Sequence, residues 1–163
     1  MPNNILSIEQ VLALLGAGPA RINELTTDFG PTQLRATPAN GEWSANDVLA
    51  HLRACADVWG ACMASILEGE RTLRAVNPRT WIKETDYLDQ DFETSLRAFA
   101  RQRTELLALL RPLPRGSWSR SVLVTGAGRP LRRDVRFYGE KMARHERAHV
   151  KQIARLLGLT VMR

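Results

Sequence analysis

The stretch 43-WSANDVLAHLRACADVWGACMASILEG-69 decides the fold of this chain. Ser44 carries the hydroxyl of a helix N-cap, and Asp47, three residues on, supplies the acid of a capping box. Trp43 before the cap and Val48 at the fourth helical position have the spacing of a hydrophobic staple. Val48, Leu52, Cys55, Trp59, Cys62 and Ile66 then recur by threes and fours, the signature of one apolar helix face. Gly69 closes the segment, so the pattern predicts an amphipathic helix from Ser44 to about Leu67.

Three further stretches carry the same period. The first runs through 7-SIEQVLALL-15 and resumes in 20-ARINELTTDF-29; Pro19 between them suits a helix start and predicts a break or kink. The third helix is expected over about Leu88 to Leu110, striped by Phe92, Leu96, Phe99, Leu106 and Leu110 and stopped by Pro112 and Pro114. Arg103 falls on that stripe and is expected to snorkel from its edge. The fourth runs from Arg133 or Asp134 to Leu157 with Gly158 as its C-cap, and its inward line reads Tyr138, Met142, His145, His149, Gln152 and Leu156. Between the last two helices, 121-SVLVTGAGRPL-131 has β-formers around a Gly turn and could form a small hairpin. No strand-turn-helix unit surrounds its glycines, so they are not a phosphate loop. The expected fold is all-α, a four-helix bundle, with the whole of residues 1–163 as one domain.

Composition narrows the function. The chain is 44% hydrophobic and 25% charged, ordinary for a soluble globular protein, and no apolar run approaches the ~20 residues of a membrane span. Its N-terminus lacks a basic secretory n-region, so a cytoplasmic setting and no membrane partner are expected. Cys55 and Cys62 lie about 10 Å apart along a helix, too far for a disulfide, and read as reduced core residues. The net charge of +6 invites a nucleic-acid role. Its arginines are scattered through every helix and no reading module is present, so no nucleic-acid partner is expected.

The chain holds three histidines, and each lies on or beside a core-facing stripe. His145 and His149 are one helical turn apart, so both imidazoles can reach a single divalent ion. His51, beside Leu52 on the second helix, can supply a third nitrogen across the bundle, with Cys55 as its rival. Buried imidazoles placed side by side compete for hydrogen-bond partners and repel when protonated, which favours a metal.

The letters HERAH spell the H-E-x-x-H of zinc proteases, but that chemistry needs a third ligand downstream. The 14 residues after His149 contain no His, Asp or Glu, so the protease reading fails. Glu146, ~100° around the helix from His145, is expected either to orient a ligand histidine or to pair with an arginine at the surface.

The segments 42-EWSANDVLAHLRACADVW-59 and 145-HERAHVKQIARLLG-158, in this order and about a hundred residues apart, resemble the DinB-like (DinB/YfiT-like) superfamily, regarded as metalloenzymes. The middle of the chain matches that superfamily only in outline. The resemblance implies an up-down-down-up bundle with a long crossover, and a divalent ion, zinc or nickel, on His51, His145 and His149. It also implies a homodimer acting on a small-molecule substrate. Some members of the wider superfamily are transferases or isomerases using a low-molecular-weight thiol such as bacillithiol, mycothiol or glutathione. A three-His site leaves coordination positions open, as in catalytic sites. A metal-dependent transferase or hydrolase is therefore expected, against a non-catalytic bundle that acts as a binding module.

Overall fold

The computed structural model describes residues 4–160. Four long helices dominate: α1 (Ile8–Thr26), α3 (Ala45–Leu67), α5 (Phe92–Leu110) and α6 (Val135–Leu156). Two short helices, α2 (Pro31–Arg35) and α4 (Pro78–Trp81), lie in the connections. Three short strands, β1 (Thr72–Arg74), β2 (Ser121–Thr125) and β3 (Leu131–Asp134), form one sheet. β1 pairs in parallel with β2, and β2 pairs antiparallel with β3.

The helical bundle is as expected, and of the sheet only β1 adds to the small hairpin foreseen before the last helix. The hairpin of β2 and β3 forms where the Gly turn lies, with Gly126 and Gly128 in the left-handed region at φ 87° and 74°. β1 gave no period to read, because three residues are too few to alternate. Its order comes from its partner: Thr72 to Arg74 pair with Leu123 to Thr125.

α3 begins as its cap predicts. Ser44 Oγ accepts the Asp47 amide at 3.1 Å, and Asp47 Oδ2 accepts the Ser44 amide at 3.1 Å. It ends before Gly69, whose φ of 99° an L side chain rarely adopts. α5 starts later than expected, at Phe92, because Asp91 caps it and Tyr87–Asp89 form a separate 3₁₀ turn. Its buried line is Phe92, Ser95, Phe99, Arg103, Leu107 and Leu110; Leu96 and Leu106 flank it half-buried.

α1 is one helix that runs through Pro19, so of the expected break or kink there is no break. A proline cannot donate to the carbonyl four residues back, here Leu15. Arg103 replaces that donor: its Nη1 gives a hydrogen bond to the Leu15 carbonyl at 2.7 Å. The same guanidinium grips Glu146 of α6 in a fork, Nη1 to Oε1 at 2.8 Å and Nη2 to Oε2 at 2.5 Å. Both side chains are buried, so Arg103 is not the snorkelling edge residue expected. Gly18 makes room, since a Cβ there would lie 1.9 Å from Glu146 Oε1.

α3 packs on α5 and α6, and α1 packs on the same two helices. Cys62 meets Tyr138, Trp59 meets Lys141, and His51 meets His145, so α3 and α6 run in opposite senses. One apolar cluster, with Leu15, Met63, Leu110 and Trp118, fills the end under the sheet. A second, with Ile22, Leu49, Phe99 and Ile153, fills the other end.

The buried fork gives the first prediction. Removing one partner leaves an unpaired buried charge, so Arg103→Ala or Glu146→Ala should each lose about 3–5 kcal/mol in urea unfolding. Replacing both, as Arg103→Met with Glu146→Leu, should recover most of that loss. Single variants within about 0.5 kcal/mol of the parent would show that the pair does not secure the bundle.

Candidate metal centre

Histidines from two helices meet across the α3–α6 seam. The helical turn between His145 and His149 sets their rings 4.4 Å apart, and His51 enters from α3 with ring centroids 5.1 Å and 5.0 Å from the two. The Nε2 atoms converge: His145 lies 3.1 Å from His149 and 3.3 Å from His51. Among the described residues these three form the cluster of potential ligands, with ligand atoms all within 4.8 Å of one another. Cys55, the rival for the third place, is not one of the converging groups; its Sγ stands 3.5 Å from His51 Nε2. Burial pushes its thiol up to about 12, only partly offset by Lys141 and Arg79.

Proton counting tests whether the cluster suits a cation. A neutral imidazole has one N–H. His149 Nδ1 lies 2.6 Å from Gln152 Oε1, a carbonyl acceptor, which puts that proton on Nδ1 and leaves a lone pair on Nε2. His145 Nε2 faces this lone pair and also His51 Nε2, while its own Nδ1 is buried without a partner. Hydrogen bonds among the rings cannot serve all these atoms. A cation at their centre would serve all three Nε2 lone pairs. For Zn–N bonds of ~2.0–2.1 Å at tetrahedral angles, the nitrogens stand roughly 3.3 Å apart, close to the spacings found. The donor set fits a divalent ion.

The electrostatics keep the rings neutral. Burial, then His149 and Arg79, lower His51 to about 4. Burial, then His149, His51, Lys141 and Arg79, lower His145 to about 3. His149 is lowered by burial and Arg79, and the Gln152 hydrogen bond draws it back in part. Neutral imidazole is the form that binds metal.

Two tryptophans wall the cluster. Trp43 stands 5.0 Å from His51 and 6.5 Å from His149 between ring centroids, so the residue read as half of a staple also lines the site. Trp59 meets His145 edge-on at 5.0 Å. A cavity of about 500 Å³ opens onto His51, lined also by Trp43, Asp47, Arg79, Lys83 and Leu88. The segment carrying Arg79 and Lys83 is tied to α3 through Asp57, which accepts hydrogen bonds from Trp81 Nε1 at 2.9 Å and Tyr87 Oη at 2.7 Å.

The structure brings His51, His145 and His149 together as the sequence suggested, but it corrects two readings. Glu146 neither touches a histidine nor reaches the surface; it is buried against Arg103 on the adjacent face of α6. The inward line of α6 holds at Tyr138 and Met142 and turns beyond them: Glu146, Val150 and Ile153 are buried in the core, while His145, His149 and Gln152 are half-buried at the seam. Gln152 was legible only as an apolar-face neighbour, although its place three residues after His149 puts it in reach of that ring. Arg79, Lys83 and Asp57 had no signal, because their roles depend on how residues 68–91 cross the bundle.

A helical bundle whose histidines meet between two antiparallel helices, beside an open cavity, is the architecture of a metal-site bundle. The DinB superfamily model matches residues 14–153, and the chain belongs to that superfamily. Among solved structures, the chain is similar to YfiT from Bacillus subtilis, described as a probable metal-dependent hydrolase with an unusual four-helix bundle topology. The likeness has a TM-score of 0.75 and 20% identity, over 98% of this chain and 94% of that one, and at that identity it is one of fold. No curated protein matches the chain. No helix among the described residues is long and apolar enough to cross a membrane.

The lowered histidines make a prediction for the metal-free protein. Below about pH 6.5 the unfolded chain binds protons that the folded imidazoles refuse. Stability should therefore fall as pH drops from about 6.5 toward the folded values near 4 for His51 and 3 for His145. Urea midpoints at pH 8, 6 and 5 with a chelator present would check this, and the fall should be shallower in His145→Phe. A midpoint flat across that range would contradict the burial of the rings.

Proposed function

We propose that the chain is a metal-dependent enzyme whose divalent ion, zinc or nickel, is held by Nε2 of His51, His145 and His149. Its reaction is the transfer of a low-molecular-weight thiol to an electrophilic small molecule. The observation that carries the reading is the convergence of three Nε2 atoms, with His145 3.1 Å from His149 and 3.3 Å from His51, beside a cavity of about 500 Å³. An ion held there would act as a Lewis acid and lower the proton affinity of a thiol or water brought to its open side.

The chain's own residues do the rest. Gln152 holds the His149 proton on Nδ1 and so aims Nε2 at the centre. Trp43 and Trp59 pack against the imidazoles and limit their rotation. Arg79 lies over the Trp43 ring at 5.0 Å and, with Lys83, makes the cavity rim positive, which favours a substrate bearing a carboxylate or another anion. Asp57 positions that rim through Trp81 and Tyr87. The packing of α1 and α3 each on both α5 and α6 supports an up-down-down-up path, with residues 68–91 as the long crossover.

The acid–base surroundings favour a thiol over water as nucleophile. Asp47 is the carboxylate lining the cavity, and its Oδ2 is already engaged by the Ser44 amide. A thiol, with an ordinary pKa near 8.5, needs far less help to lose its proton than water does. The second reading, a hydrolase, draws on the description of YfiT.

Tag-free protein should carry close to one equivalent of zinc or nickel by elemental analysis. Less than about a tenth, unchanged on adding either ion, would overturn the metal reading. His51→Ala should leave the bundle folded and lower metal affinity sharply, and Gln152→Leu should lower it about 10–100-fold. The loaded protein should consume 1-chloro-2,4-dinitrobenzene only with added thiol. Thiol-independent hydrolysis of p-nitrophenyl acetate, without thiol transfer, would select the hydrolase instead.

A further inference from the structure

We infer that the recess between the sheet, α3 and α6 is a second binding site, for a multiply charged oxyanion. The recess has a volume of about 190 Å³. Arg74 from β1, Arg129 from the hairpin turn, Arg133 from β3 and Lys141 from α6 all line it, and no carboxylate does. Among the described residues none of these four cations has an ion pair, whereas Arg97, Arg103, Arg115, Arg144 and Arg155 each have a glutamate. Four like charges from four elements around one small volume repel one another, and nothing the chain supplies there offsets them.

Two of the four heads rest on aromatic rings. The Arg133 guanidinium lies over the Phe137 ring at 4.2 Å. Lys141 Nζ sits 5.3 Å from the Trp59 ring and 5.6 Å from Phe137. Arg74 lies along the hairpin turn at Gly126, where a Cβ would come within 3.1 Å of its Cγ. Aromatic walls beneath clustered guanidinium groups suit a small molecule carrying a phosphoryl group or two carboxylates, each able to accept forked hydrogen bonds. The small, discrete recess suits such a group better than it suits a nucleic-acid backbone, which needs a continuous basic track.

The position gives the site its use. Lys141 is one turn before His145 on α6, about 6 Å along the axis, and the Trp59 ring stands against both residues. An anionic tail lodged here would hold a molecule whose reactive end reaches the histidines. This use rests on the metal-dependent reading above, but the anion site itself does not.

The test uses the full chain, metal-free, titrated by calorimetry with inorganic phosphate and separately with succinate at constant ionic strength. One saturable site for at least one of them is expected. Binding of phosphate alone assigns a phosphoryl group, and binding of succinate alone assigns a dicarboxylate. Arg133→Gln with Lys141→Gln should weaken binding at least about tenfold. Arg129→Gln, on an exposed turn whose change leaves the bundle folded, should weaken it about threefold or more. Arg101→Gln on the outer face of α5 should leave it unchanged. Saturable binding of neither anion, or equal weakening by Arg101→Gln, would overturn the assignment. Failure of the metal reading would instead appear as absent metal with anion binding intact.

Discussion

The bundle depends on one buried fork. Arg103 holds Glu146 of α6 with two hydrogen bonds and the Leu15 carbonyl of α1 with a third, joining three helices at one point. Burying that pair costs desolvation, which its geometry must repay. It also sets the rotation of α6 about its own axis. Residue 146 lies roughly 80° around the helix from the midline between residues 145 and 149. With Glu146 turned toward α1 and α5, His145 and His149 are turned toward α3, where His51 waits. The fork and the histidine cluster are two sides of one constraint.

Much of this was legible. Ser44, Asp47 and the stripe from Val48 to Ile66 specify α3 almost residue by residue, because capping and amphipathic spacing are local properties. Asp134 and Gly158 bound α6 for the same reason. The three histidines could be picked out because the chain has no others and each sits near an apolar face. What stayed hidden was non-local. The continuity of α1 through Pro19 required a donor from a residue more than eighty positions away. β1 exists only against β2, and its three residues carry no pattern of their own.

Glu146 shows how a motif can mislead. Its place inside HERAH suggested chemistry, and its helical angle left both a supporting role at the histidines and a surface pairing open. The outcome combined the pairing with burial: an arginine partner, but in the core. Arg103, read as an edge residue because arginine seldom lies fully inside, is buried because a carboxylate and a carbonyl satisfy it. The apolar stripe of α5 was thus interrupted by the residue on which the interior is built.

The packing pattern of the four long helices has a consequence for how the chain acquires its shape. α1 packs chiefly on α5 and α6, and α6 packs chiefly on α1 and α3, reaching α5 through the Arg103–Glu146 fork. Most helical bundles fold quickly because consecutive helices form hairpins with short loop closures. Here the principal seams join distant segments, and the two Nε2 atoms nearest across the α3–α6 seam belong to residues 94 positions apart. Forming the histidine cluster therefore requires the closure of long loops. Any ion bound there would favour the completed bundle over its partly assembled forms by mass action.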